Sequence, residues 1–177
     1  KSHDVFVTST SPVRTSEDFA GFFSVWVMKL CGELRLSAAQ GRPQLGAVDP
    51  KPGSKEHKAL RLALLGSRVV VCIVNLATGG EWPPPGYRSE IAWAEESSIP
   101  VIPFYDADRF GWKEVCSWKI DLPSIFRSGL GPIRYHRSSH AQAKDQLGGA
   151  IHEALAEASA EAGAGASEAQ EEEEAAP

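Results

Sequence analysis

A string of small hydroxyl side chains, Thr8-Ser9-Thr10-Ser11, follows the short apolar run Val5-Phe6-Val7, and Arg14 lies just beyond it. Hydroxyls and a guanidinium between a strand end and a helix N-terminus are groups suited to a phosphate. The same string also reads as a plain polar turn, with Arg14 as a surface charge. Glu90 stands near the start of a segment with helical spacing, where a carboxylate complements the positive end of the helix dipole. Asn75 to Gly80 leaves the strongest apolar run of the chain, and Trp82 and Tyr87 follow it, separated by Pro83-Pro84-Pro85. Trp82 reads either as an aromatic lid or as a loop anchor. His136 and His140 have the i,i+4 spacing of one helix face, but Arg134 and Arg137 beside them make a solvated basic face, not a metal site, the better reading. No Gly-rich dinucleotide fingerprint, P-loop or CxxC is present.

These groups need elements to hold them. Three apolar runs, each closed by a breaker, read as strands: Val5-Phe6-Val7, Arg68 to Val74 (RVVVCIV) and Ile99 to Tyr105 (IPVIPFY). The continuous β-branched middle run is the habit of a strand buried on both faces, as in parallel sheets. Pro100 and Pro103 each remove a ladder donor, so the third run is expected at an edge, or short. Gln44–Val48 is a weak further strand, and Lys119–Leu122 or Ile133–Tyr135 supplies a fifth. Helical spacing runs from Ser16 to Leu36, with Thr15 or Ser16 as N-cap, and recurs over Ser54–Leu65, Tyr87–Glu96 and His140–Ala160. Trp26 and Trp93 fall on the apolar faces of two of these helices. Strands alternating with helices predict an α/β domain with right-handed crossovers, here a flavodoxin-like three-layer sandwich on a five-stranded parallel sheet of order 2-1-3-4-5. Ligands of such sheets bind beyond the carboxyl ends of the strands at the switch point between the first and third.

Composition bounds the rest. Hydrophobic residues make up 42% of the 177, enough for one domain core over residues 1–158. From Glu153 onward there are eight acidic residues and no Lys or Arg, so the net charge of −5 belongs to the tail. Residues 1–152 carry 18 basic against 15 acidic groups, too slight an excess for a typical nucleic-acid-binding face. Residues 159–177, rich in Ala, Gly and Glu, are expected to be a disordered tail. Cys31, Cys72 and Cys116 are odd in number and far apart, which fits reduced, buried thiols of a cytoplasmic protein. No apolar run approaches the roughly 20 residues that span a bilayer. The start lacks both Met and an apolar signal region, which reads as a piece of a longer protein or a processed product.

Several segments, in order, resemble a TIR (Toll/interleukin receptor) domain. His3-Asp4-Val5-Phe6-Val7-Thr8 resembles the first strand of that family, and Ala47-Val48-Asp49-Pro50 followed by Lys51-Pro52-Gly53-Ser54 resembles its second strand and a shortened BB loop. Leu60 to Asn75 is similar to the family's second helix and third strand. Ser89-Glu90-Ile91 with Ile99-Pro100-Val101-Ile102-Pro103 is similar to the segment that carries the catalytic glutamate of the enzymatic members. The likeness covers residues 3–155 and is closest to the TIR domains that cleave NAD+.

The resemblance implies an NAD+ glycohydrolase with Glu90 as its one essential carboxylate, and NAD+ as substrate with no cofactor or metal. It places Thr8, Ser9, Thr10, Arg14, Asn75, Trp82 and Tyr87 around the substrate. It also implies self-association, or recruitment of other TIR domains, through Asp49, Lys51, Pro52, Gly53 and Ser54, in immune or cell-death signalling. The alternative is a non-catalytic TIR interaction module. The chain departs from the family at two places: Gly86 stands where the enzymes carry Trp four residues before the glutamate, and Ser9 to Ser11 replace aromatic and Arg residues. Nucleoside deoxyribosyltransferases, which also place a carboxylate beyond such a sheet, are a minor third reading.

Overall fold

The computed structural model describes residues 2–9, 19–41, 50–74, 85–109, 111 and 131–174. Its elements are β1 (Val5–Ser9), α1 (Phe19–Glu33), β2 (Ala38–Gln40), α2 (Lys55–Leu65), β3 (Val69–Val74), α3 (Pro85–Glu96), β4 (Val101–Asp106), β5 (Ile133–Tyr135) and α4 (His140–Glu174), the last entered through a 3-10 turn at Arg137–Ser139. The five strands form one parallel sheet in the order β2-β1-β3-β4-β5. This is the doubly wound, flavodoxin-like sheet that the alternation of elements requires.

The sheet separates two apolar clusters. Val5, Val7, Val71, Ile73, Ile102 and Phe104 meet Phe23, Val27 and Leu30 of α1 and Leu147, Ile151 and Leu155 of α4. On the other face Phe6, Val70, Cys72, Val74, Val101 and Tyr105 meet Leu64 of α2 and Ile91 and Ala94 of α3. Alternation along each strand produces the division, since successive side chains point to opposite faces. All six residues of β3 are buried, at about 1.5–3 kcal/mol for each large aliphatic side chain removed from water. Cys31 and Cys72 are both buried, and neither forms a disulfide among the described residues. Burial pushes the Cys31 thiol up to about 11, which keeps it protonated and unreactive.

Local signals set the helix ends. Ser54 is the N-cap of α2: its hydroxyl accepts the His57 N–H at 3.1 Å, satisfying one of the orphan donors of the first turn. Gly66 closes the helix by donating its N–H to the Leu62 carbonyl at 2.9 Å.

Two expectations are corrected here. β4 is not an edge strand: it lies between β3 and β5, and all six of its residues are buried. The ladder explains why Pro103 is tolerated. The Val70 N–H reaches the Pro100 carbonyl at 2.9 Å, so residues 100, 102 and 104 face β3 and Pro103 faces β5. The β5 ladder starts only opposite Phe104, and the missing donor therefore falls before its beginning. The observed second strand is Ala38–Gln40, whereas Gln44–Val48 lies outside the described residues, as does the alternative fifth strand at 119–122. Ala-Ala-Gln has no β-branched residue, and its pairing with β1 comes from tertiary context. α4 runs from His140 through residue 159 to Glu174. Ala and Glu are strong helix formers, and a helix satisfies its backbone without burying a face.

Candidate active site

Two carboxylates are buried at the carboxyl end of the sheet. Glu90 is the sixth residue of α3 and is fully buried. It shares the inner stripe of that helix with Ile91 and Ala94, which pack on Phe6, Val70 and Cys72 and so hold the helix against the sheet. Its role is therefore not that of a solvated carboxylate complementing the helix dipole: it lies in the second turn, inside.

Its partner comes from β1. Thr8 follows Phe6 on the α2–α3 face by strand alternation, is 2% exposed, and donates its hydroxyl to Glu90 Oε2. Pairing opposite Cys72 fixes the height of Thr8 along the sheet. A buried carboxylate is costly unless hydrogen-bonded, and a hydroxyl donated to a charged acceptor contributes about 1.5–3 kcal/mol. Ser9 closes β1 opposite Ile73. Of the other residues expected around a substrate, Thr10, Arg14, Asn75 and Trp82 lie outside the described residues, and only the backbone of Tyr87 is described, in the first turn of α3.

The segment expected to mediate association is an exposed turn. Lys51, Pro52 and Gly53 are open to solvent, the Lys51 carbonyl accepts the Ser54 N–H at 2.9 Å, and Gly53 adopts φ +83°, a left-handed conformation that favours glycine. Asp49 lies outside the described residues. The turn leads directly into α2, whose His57 ring meets Trp93 of α3 edge-on at 5.0 Å. The Arg61 guanidinium lies 5.8 Å from the Trp93 ring centre.

Asp106 is the second buried carboxylate, and sequence reasoning saw in it only a strand-ending residue. It closes β4 on the opposite face from Glu90, in line with Ile102 and Phe104. Its side chain is 1% exposed; Oδ1 accepts the Asp108 N–H at 3.0 Å, and Oδ2 has no hydrogen-bond partner among the described residues. Burial raises its pKa above the usual carboxylate value, and the nearby Asp108 carboxylate adds to the rise; Arg109 and Arg137 oppose it. Burial, with Asp106 next in effect, also raises the Tyr135 phenol.

The histidines do not converge. His136 Nδ1 pairs with Asp108 Oδ1 at 2.9 Å, and His140 Nδ1 meets the Tyr135 hydroxyl at 3.2 Å. Trp26 packs at 5.3 Å from the His140 ring and stacks on Phe104. Among the described residues no group of three or more His, Cys, Asp or Glu side chains is placed to hold a metal ion. Nor is any described helix long and apolar enough to cross a membrane.

The architecture defines a class, the doubly wound α/β proteins whose sites lie at the carboxyl rim of a parallel sheet. A crystal structure of an oxidoreductase from Corynebacterium diphtheriae is similar to this chain, with a TM-score of 0.52 over 88% of this chain and 97% of that one, at 9% identity. At that identity the likeness concerns the fold alone. No protein-family model matches the sequence, and no curated protein matches it.

Proposed function

We propose that this chain is a TIR-type NAD+ glycohydrolase, with Glu90 as the carboxylate that stabilises the reacting sugar. The observation that carries the reading is the position of Glu90 at the carboxyl end of the sheet, where it is hydrogen-bonded to Thr8 at the end of β1. This is the end at which ligands of doubly wound sheets bind. In NAD+ the nicotinamide is bonded to the ribose through a positively charged ring nitrogen. It departs as a neutral molecule with the bonding electron pair, and so needs no general acid. Positive charge develops at the anomeric carbon, and a fixed carboxylate stabilises it more in the transition state than in the ground state. Water then bonds to that carbon and loses a proton, giving ADP-ribose, nicotinamide and H+. Attack by the adenine ring instead gives a cyclic ADP-ribose with the same leaving group and the same released proton. The reading includes a cytoplasmic setting, expected from the odd and widely separated cysteines, and a role in immune or cell-death signalling, which rests on the TIR resemblance.

Glu90 also fits the chemistry of a nucleoside-cleaving enzyme, so substrate choice is part of the test. Purified protein supplied in parallel with NAD+ and with nucleosides should release nicotinamide and leave the nucleosides intact. Release of nucleobases, with NAD+ untouched, would reject the proposal.

The exposed turn at Lys51–Gly53 favours a second reading, a TIR module that only binds other TIR domains. Phe22, Val25 and Leu62 add to it, at 51%, 69% and 70% exposure. Concentration-dependent assembly without NAD+ turnover, lost when Lys51 to Ser54 are altered, would establish it.

A further inference from the structure

We propose that Thr8 is the positioning residue of the glutamate site: its hydroxyl holds one oxygen of Glu90 and thereby fixes the orientation in which the carboxylate meets the sugar. The Thr8–Ser11 string reads from the sequence either as a phosphate cradle or as a polar turn; in the structure the Thr8 hydroxyl is given to Glu90 on the α2–α3 face of the sheet. Both residues are essentially closed to water, at 2% and 0% exposure, so the contact is not diluted by solvent. The two come from different layers. Thr8 is held in β1 by its register opposite Cys72, while α3 is seated by Ile91 and Ala94; the hydrogen bond is a tie between the central strand and the helix that carries the carboxylate.

Threonine suits this task better than serine. Its γ-methyl restricts rotation about χ1, so the hydroxyl is aimed before substrate arrives. A carboxylate that must stabilise a developing cation gains from such fixing, because an error of about 1 Å in placing a catalytic group costs roughly a hundredfold in rate. Thr8 does not itself touch the reacting atoms in this account.

The role rests on the NAD+ glycohydrolase reading, and the test separates the two. Thr8→Val keeps the shape and removes the hydroxyl; Thr8→Ser restores the hydroxyl on a freer torsion. Steady-state turnover of NAD+ is measured for both beside the parent chain. The carboxyl 13C resonance of Glu90, assigned by its absence in Glu90→Gln, is recorded without substrate. The expected result is a fall in kcat of about tenfold to a hundredfold for Thr8→Val, with KM changed by less than about twofold and substantial recovery in Thr8→Ser. The Glu90 resonance moves in Thr8→Val and returns toward its original position in Thr8→Ser. An unmoved resonance, or a Thr8→Val enzyme with unchanged kcat, overturns the assignment. If the parent chain releases no nicotinamide, the glycohydrolase reading fails, and the resonance alone then decides whether Thr8 positions Glu90.

Discussion

Replacing Asp106 by Asn should stabilise this protein at neutral pH. Asn has nearly the shape of Asp, and its carbonyl can still accept the Asp108 N–H that now reaches Oδ1 at 3.0 Å. What changes is the group at Oδ2, which is buried without a partner among the described residues. The direction in pH follows from the raised pKa. A carboxyl whose folded pKa lies above its unfolded value of 3.8 holds its proton more tightly in the folded state. Its favourable contribution is complete below the unfolded pKa and is lost as pH rises through the folded one. Above the unfolded pKa the fold therefore has either to hold the proton or to bury a charge that the unfolded chain would hydrate. An unsatisfied buried polar group costs about 1–3 kcal/mol. The lower end applies here, because Arg109 and Arg137 offset part of the charge and the amide introduced by Asp106→Asn is itself left unpaired. A gain of about 1 kcal/mol raises the urea midpoint by roughly 0.5 M and Tm by about 2–4 °C for a chain of this size. Urea unfolding of both proteins at pH 4 and pH 7.5 measures it. The advantage of the Asp106→Asn variant over the parent should be present at pH 7.5 and should shrink toward pH 4. A variant less stable than the parent at pH 7.5, or an advantage equal at both pH values, would refute the reasoning.

Other perturbations test the frame that holds the site. Leu147→Ala removes a fully buried side chain where α4 packs on the sheet and should cost about 2–5 kcal/mol in urea unfolding, with NAD+ turnover of the remaining folded protein little changed. Ser54→Ala deletes the cap of α2 and should cost about 1 kcal/mol by the same measurement, while Ser54→Thr should retain most of the stability.

Much of the fold was legible because its signals are local. The run Val69–Val74 could hardly be anything but a buried central strand, and Ser54 and Gly66 bracket α2 with ordinary capping chemistry. Non-local features were not legible. Ala38–Gln40 becomes a strand because β1 offers it a ladder, and Pro103 sits in an interior strand because β5 begins one residue beyond it. The site divides in the same way. Glu90 could be picked out by its place in an ordered series of segments, but its burial and its bond to Thr8 depend on how α3 lies across β1, 82 residues away in sequence. Asp106 was passed over since Asp-Ala-Asp after an apolar run is an ordinary strand ending. Only the register of β4 against β5 shows that the first of these acids turns inward while Asp108 stays outside and pairs with His136.

In the proposed glycohydrolase, NAD+ cleavage depends on Glu90. The most direct measurement is nicotinamide release by the concentrated protein beside Glu90→Gln, with a crowding agent present to promote assembly and circular dichroism to establish that both are folded. Release is expected from the parent chain, and none above background from Glu90→Gln. Equal release by the two folded proteins would contradict that dependence.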